Sequence, residues 1–95
     1  MMYEIILTSA FKSCLKTIKK RKKDLDKLTN IVNTIASGKK LDEKYRDHEL
    51  TNSKHFKNCR ECHIEPDWLL VYKINKKELI LFLMETGTHS DLFNQ

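Results

Sequence analysis

Proline occurs once and glycine twice in 95 residues, which excludes collagen-like, linker-like and low-complexity organisation. No apolar run approaches the ~20 residues of a membrane span, and the N-terminus reads as lacking the n-region, h-region and cleavage site of an export signal. Cysteine occurs three times, and no second C-x-x-C or H-x-x-x-H half is present to complete a zinc site. Reduced thiols in a cytoplasmic protein, with no metal and no cofactor, are the expectation. Acidic residues are in deficit, 13 against 18 Lys and Arg, for a net charge of +5. The imbalance lies in residues 1–48, with 12 basic and 6 acidic groups; residues 49–95 carry 6 and 7. One-sided basic charge suits a polyanionic partner such as nucleic acid or an acidic protein.

What is present is enough for one domain over residues 1–95, small and marginally stable on its own. Tyr3–Leu7 reads as a strand. Thr8 or Ser9 caps a helix whose stripe is Phe11, Cys14, Leu15 and Ile18. The run Lys19, Lys20, Arg21, Lys22, Lys23 closes it, cations being favourable at a helix C-terminus. Asp24 caps a second helix with Leu25, Leu28, Ile31, Val32 and Ile35 on its apolar face, and Gly38 suits its C′ position. Residues 39–55 show no sustained period and read as a long polar loop, of a length that is often functional. Phe56–Ile64, Trp68–Ile74 and Glu78–Met84 read as three strands, with a tight turn at Glu65-Pro66-Asp67 and another at Asn75-Lys76-Lys77. Leu79–Met84 is apolar on both faces, as in a buried central strand. Gly87 breaks that strand, and Ser90–Phe93 forms a short turn of helix or strand. The pattern is β-α-α-β-β-β, class α+β, with two N-terminal helices packed on a small antiparallel sheet.

Four histidines carry the chemistry: His48, His55, His63 and His89. Histidine titrates nearest neutrality, so a cluster of them can move protons at physiological pH. His63 and Asp67 straddle the Pro66 turn and are expected to be near neighbours across it. Glu61 lies two residues before His63, which puts both on one sheet face. His89 emerges either beside His63 or at the opposite end of the sheet; pattern leaves both open. Cys59-Arg60-Glu61-Cys62-His63 matches the C-x-x-C-H haem-attachment pattern. Cysteines three apart on a strand face opposite sides, however, which argues against haem and against a shared zinc. The basic run 19–23, as a solvated helix end or an RNA-backbone contact, is the least specific feature.

These residues, in order, resemble a known family. Asp47-His48-x-Leu50, then Arg60-x-x-His63-x-x-Pro66-Asp67-Trp68-x-Leu70-x-Tyr72-Lys73, then Thr86-Gly87-Thr88-His89-x-x-Leu92-Phe93 are similar to the YafQ branch of the RelE/ParE toxin superfamily. The motif match runs from about Asp47 to the end, and the N-terminal helices agree in length and placement. The resemblance implies a RelE-like fold and a toxin of a type II toxin–antitoxin module. It implies a ribosome-dependent mRNA endoribonuclease acting in the ribosomal A site, held inactive by a small acidic antitoxin in a hetero-oligomer. The free toxin is expected to be a monomer.

Carried over position by position, the catalytic set falls on His48, His63, Asp67, His89 and Phe93, with Glu61 where relatives have aspartate. His55 matches nothing. Ribosomal RNA or mRNA would be gripped by Lys19, Lys20, Arg21, Lys22, Lys23, Lys54, Lys57 and Arg60. One departure stands out: relatives often place arginine four residues before the last histidine, and here that residue is Glu85. The RNA 2′-OH is the nucleophile the chemistry needs. His48 or His63 would take its proton, His89 would protonate the leaving oxygen or carry positive charge, and Asp67 would orient a histidine and stabilise its charge. Phe93 would pack against a base. Two rivals are a ParE-like gyrase poison, which generally lacks this histidine set, and a non-catalytic RNA-binding module, for which Glu85 is the best support.

Overall fold

The chain starts with a strand of four, Glu4–Leu7 (β1), and turns at Thr8 into the helix Ser9–Lys20 (α1). The Thr8 hydroxyl accepts the Phe11 N–H and donates to the carbonyls of Leu83 and Met84, so a single cap also ties the helix start to the sheet. Lys22 in the left-handed region (φ 57°) reverses the chain. Asp24 then caps the helix Leu25–Ala36 (α2), its carboxylate accepting the Asp26 N–H at 3.0 Å. Gly38 (φ 81°) closes α2 at C′, with Gly38 N–H to Ile35 and Lys39 N–H to Thr34. The computed structural model describes residues 2–51 and 53–93.

The remaining elements are the two-residue strand His48–Glu49 (β2), Arg60–Glu65 (β3), Trp68–Asn75 (β4), Ile80–Gly87 (β5) and a short helix His89–Phe93 (α3). They build a five-stranded sheet in the order β1-β5-β4-β3-β2. The expected all-antiparallel sheet is corrected at one edge, where β1 pairs parallel to β5, Ile5 opposite Leu81 and Leu7 opposite Leu83. The helices carry the chain across to the far edge, β2 to β5 return as a meander, and the last strand leaves only its outer edge for β1. The loop over 39–55 is also less bare than expected: it holds a 3-10 turn at Glu43–Tyr45 and β2 itself.

Two strand boundaries move. The strand expected from Phe56 starts at Arg60. Phe56 instead opens a turn in which Cys59 N–H bonds the Phe56 carbonyl and Asn58 is left-handed (φ 60°). The strand expected over 78–84 runs from Ile80 to Gly87, because the Asn75 side chain accepts the N–H groups of Lys77 and Glu78 and prolongs the turn. Gly87 is the last residue of β5. A Cβ there would come within 2.8 Å of the Asp91 carboxylate, so its role is to admit that side chain.

The main core lies between the helices and one sheet face, and includes Phe11, Ile18, Ile31, Cys62, Leu70 and Leu81. A smaller cluster of Phe56, Cys59 and Val71, flanked by Leu50, Met84 and Phe93, covers part of the other face. Cys59 and Cys62 therefore lie on opposite faces of the sheet. All three cysteines are free thiols, and burial pushes Cys62 up to about 12. Trp68 is buried in the main core with its indole N–H donating to Thr86 Oγ1 at 2.9 Å, and that hydroxyl donates onward to the Leu69 carbonyl at 2.7 Å. Replacing Thr86 with valine keeps the shape and orphans the indole N–H, a loss of about 1–3 kcal/mol. The expected result is a lower urea midpoint with an unchanged slope.

Candidate active site

Four acceptors set the geometry of the histidines. His48 starts β2, opposite Glu61, and its Nδ1 lies 2.7 Å from the Arg46 carbonyl. His63 lies on β3, two residues from Glu61, with Nδ1 3.3 Å from the Pro66 carbonyl. His89 opens α3, and Asp67 Oδ1 accepts both its backbone N–H (3.0 Å) and its Nδ1–H (2.7 Å). Carbonyls and carboxylates only accept, so Nδ1 of each ring is the donor in these contacts and Nε2 is the atom left for other partners. The fourth acceptor is Glu61. Its Oε1 sits 3.6 Å from His48 Nε2 and 3.4 Å from His63 Nε2, with 6% of the side chain exposed. A carboxylate buried to that degree is tolerable only beside positive charge or donors.

The ring centroids of His63 and His89 are 5.7 Å apart, and those of His48 and His63 are 6.4 Å apart. The position of His89 left open by pattern is thereby settled at the same end as His63. The expected pairing of His63 with Asp67 is corrected. His63 stands opposite Leu69, while Asp67 sits in the two-residue turn and reaches His89. A register slip after His63 moves the turn off the His63 row. The His89 backbone N–H, and then its ring, hold the Asp67 carboxyl below its ordinary value, which keeps it an acceptor at neutral pH.

Glu85 stands opposite Val71, which stands opposite Glu61, so the three form one cross-strand row. Met84 is an extra residue at a slip in the β4–β5 register, and that bulge puts Glu85 on the Glu61 face. Phe93 packs edge-on against Phe56, centroids 5.8 Å apart. His55 is exposed beside Phe56 and makes no contact with the other histidines.

The basic residues divide. Arg21 makes a bidentate pair with Asp91 (2.6 and 3.1 Å). Lys23 bonds Glu65 and lies 5.8 Å over the Trp68 ring. Arg60 holds Asp47, which also accepts the Tyr72 hydroxyl. Lys19, Lys20, Lys22, Lys54 and Lys57 are exposed and without an ion pair among the described residues.

Comparison with known proteins gives the chain its family. A family model described as a bacterial toxin of type II toxin–antitoxin systems, YafQ, matches residues 3–94. The chain belongs to the YafQ family. The mRNA interferase toxin YafQ of Escherichia coli (strain B / BL21-DE3) is 36% identical over 91 residues, 95% of each chain. A metal-bound toxin from Helicobacter pylori superposes with a TM-score of 0.88 at 42% identity, covering 98% of this chain and 100% of that one. The E. coli DinJ–YafQ complex gives 0.83 at 36% identity, over 96% and 98%. Since one YafQ-like relative binds metal, the fit here matters. Glu61, His63 and His89 each offer a ligand atom, all within 4.8 Å of one another. Imidazole lone pairs backed by Nδ1–H acceptors suit a transition metal.

Asp91, which the motif reading passed over, holds the site in place together with Thr88 and with Arg21, expected on RNA and found instead on Asp91. Asp91 Oδ2 accepts the Thr88 N–H (2.9 Å) and Thr88 Oγ1 accepts the Asp91 N–H (3.1 Å), a reciprocal capping box immediately around His89. The Thr88-x-x-Asp91 spacing was the available signal. Arg21 holds the Asp91 carboxyl far below its ordinary value. The depressed value means that this anchoring contributes fully above the unfolded carboxylate range and is lost progressively as pH falls from there to the lower folded value. Asp91→Asn removes the charge pair while making the protein more basic, so electrostatics alone would favour RNA binding. The expected outcome is a turnover loss on the order of tenfold from misplacement of His89, with faster amide exchange over residues 88–93.

Proposed function

We propose that this chain is a ribosome-dependent mRNA interferase, the toxin of a type II module, cleaving by histidine acid–base catalysis. The observation that carries the reading is the set of three imidazoles, each with Nδ1 on an acceptor, gathered around Glu61 and Asp67. In this mechanism His48 or His63, beside Glu61, takes the 2′-OH proton. The P–O2′ bond forms, the P–O5′ bond breaks, and His89, as the imidazolium with its Nδ1–H held by Asp67, gives its Nε2 proton to the departing O5′. The products are a 2′,3′-cyclic phosphate and a 5′-hydroxyl. Each proton transfer is worth ~10²–10⁴-fold. Asp67 orients His89 and stabilises its charge, and Phe93 supplies an aromatic surface for a base.

The proton chemistry is complete without a metal. Where one binds, Glu61, His63 and His89 would hold it, and it would supply Lewis acidity toward phosphate oxygen. The exposed lysines at the end of α1 and at Lys54 and Lys57 supply the backbone contact for ribosomal RNA. The basic surface also suits an acidic antitoxin, as the E. coli relative's complex with DinJ suggests by analogy. Residues 1–95 act as one catalytic domain, in the cytoplasm where ribosomes are. Among the described residues no helix is long and apolar enough to cross a membrane. The gyrase-poisoning alternative gives the histidine set no task and is disfavoured.

His89→Ala should abolish in-frame mRNA cuts and growth arrest while antitoxin affinity is retained; primer extension on mRNA from expressing cells reads the result, and full toxicity would sink the assignment. Toxin stripped with EDTA and returned to chelator-free buffer should still cleave mRNA on Mg²⁺-containing ribosomes, and a 2′-deoxy residue at the cut position should stop cleavage. Activity lost on stripping and restored by a transition metal would require a metal; cutting of the deoxy substrate would exclude 2′-OH attack.

A further inference from the structure

The acid–base site has a neighbour. A cavity of about 440 Å³ opens beside His63, lined by Lys27, Asn30, Lys44, Tyr45 and Arg46. It exists because β2 covers β3 only at Arg60 and Glu61, so the outer edge of β3 from Cys62 onward is left bare, and α2 and the 3-10 turn wall the gap. Its size is within the roughly 300–1,000 Å³ of small-ligand sites.

We propose that this cleft holds the nucleotide adjoining the scissile phosphate, with the Arg46 guanidinium on its phosphodiester and Tyr45 and Asn30 on its base. The proposal rests on the mRNA-cleaving reading and adds a subsite to it.

Arg46 is in the left-handed region (φ 52°), where a bulky side chain is uncommon. That conformation caps the 3-10 turn and gives the Arg46 carbonyl to His48 Nδ1. One residue thus anchors Nδ1 of a proposed catalytic ring and puts its own side chain in the cleft wall. Lys44 and Arg46 have no acidic partner among the described residues, and Lys44 lies 5.1 Å over the Tyr45 ring. Lys27 is shared with Glu65 at 3.0 Å, and Glu65 is the cleft's acidic group.

Positive charge near phosphate is what the row Glu61-Val71-Glu85 lacks, and a guanidinium supplies it in bidentate form. A partly exposed tyrosine ring to stack on and a side-chain amide to hydrogen-bond a base edge are ordinary means of holding an unstacked RNA base.

The test uses the full chain on programmed ribosomes. Arg46→Asn removes the charge, and asparagine tolerates the left-handed backbone that the His48 contact needs. A fall in kcat/KM of tenfold or more at wild-type antitoxin affinity, partly restored by Arg46→Lys, is the expected result. Tyr45→Ala and Asn30→Ala should alter the base preference of the cut sites. Wild-type kcat/KM for Arg46→Asn together with a wild-type cut-site profile for the other two overturns the proposal. If Arg46→Asn weakens antitoxin binding through misfolding, Lys44→Gln with the same two readouts decides. His89→Ala separates the failures: if that variant still cuts, the acid–base reading itself has failed. If it is dead while the cleft variants match wild type, only the subsite has.

Discussion

A nearly buried carboxylate with two imidazoles within 3.6 Å is the constraint around which this molecule is organised. Glu61 is on β3 with its side chain away from the helices, in a row with Val71 and Glu85. Removing a carboxylate from water is costly unless charge or donors accompany it, so strand register, the short β2 pairing and the hairpin turn have all to deliver imidazoles to one spot. His48 arrives because β2 pairs with β3 at Glu61. His63 arrives by strand alternation. His89 joins this pair from a different element, through the Asp67 carboxylate in the turn.

The two sheet faces divide the labour. One is closed by α1 and α2 and carries most of the apolar burial. The other is only partly covered, by the cluster around Phe56 and Val71, and is left open where the histidines stand. Pairs distant in sequence fasten the helices and the 39–55 segment to the sheet: Arg21 to Asp91, Arg60 and Tyr72 to Asp47, Lys23 and Lys27 to Glu65. Arg21, Lys23, Lys27 and Arg60 use their charge internally, while exposed lysines stand at the end of α1 and in the 53–58 turn and Lys44 and Arg46 stand at the cleft beside His63.

Much of the fold was legible because its signals are local. The stripes of both helices, the Asp24 cap, Gly38 at C′ and the Pro66 turn each depend on residues within a few positions, and each stands as expected. Phe56 was misread as strand because an aromatic before alternating residues looks the same whether it pairs or plugs a turn. The parallel pairing of β1 was not visible, since Ile5 and Leu81 are brought together by topology alone. Glu61 beside His63 was visible through alternation, whereas the partner of Asp67 was not: one register slip redirected it from His63 to His89.

The sequence by itself determined which residue types were available, and their spacing on single elements: three motif histidines, their acids, two amphipathic helices and a basic first half. Those follow from periodicities of one strand or one helix. Only the tertiary structure decided that the three rings turn Nδ1 to an acceptor and converge on one space, because strand register, the hairpin turn and the start of α3 bring them together. Two of these acceptors are the carbonyls of Arg46 and Pro66. Every residue but its side chain looks alike at that level, so no pattern of residue types could name them; the backbone path does.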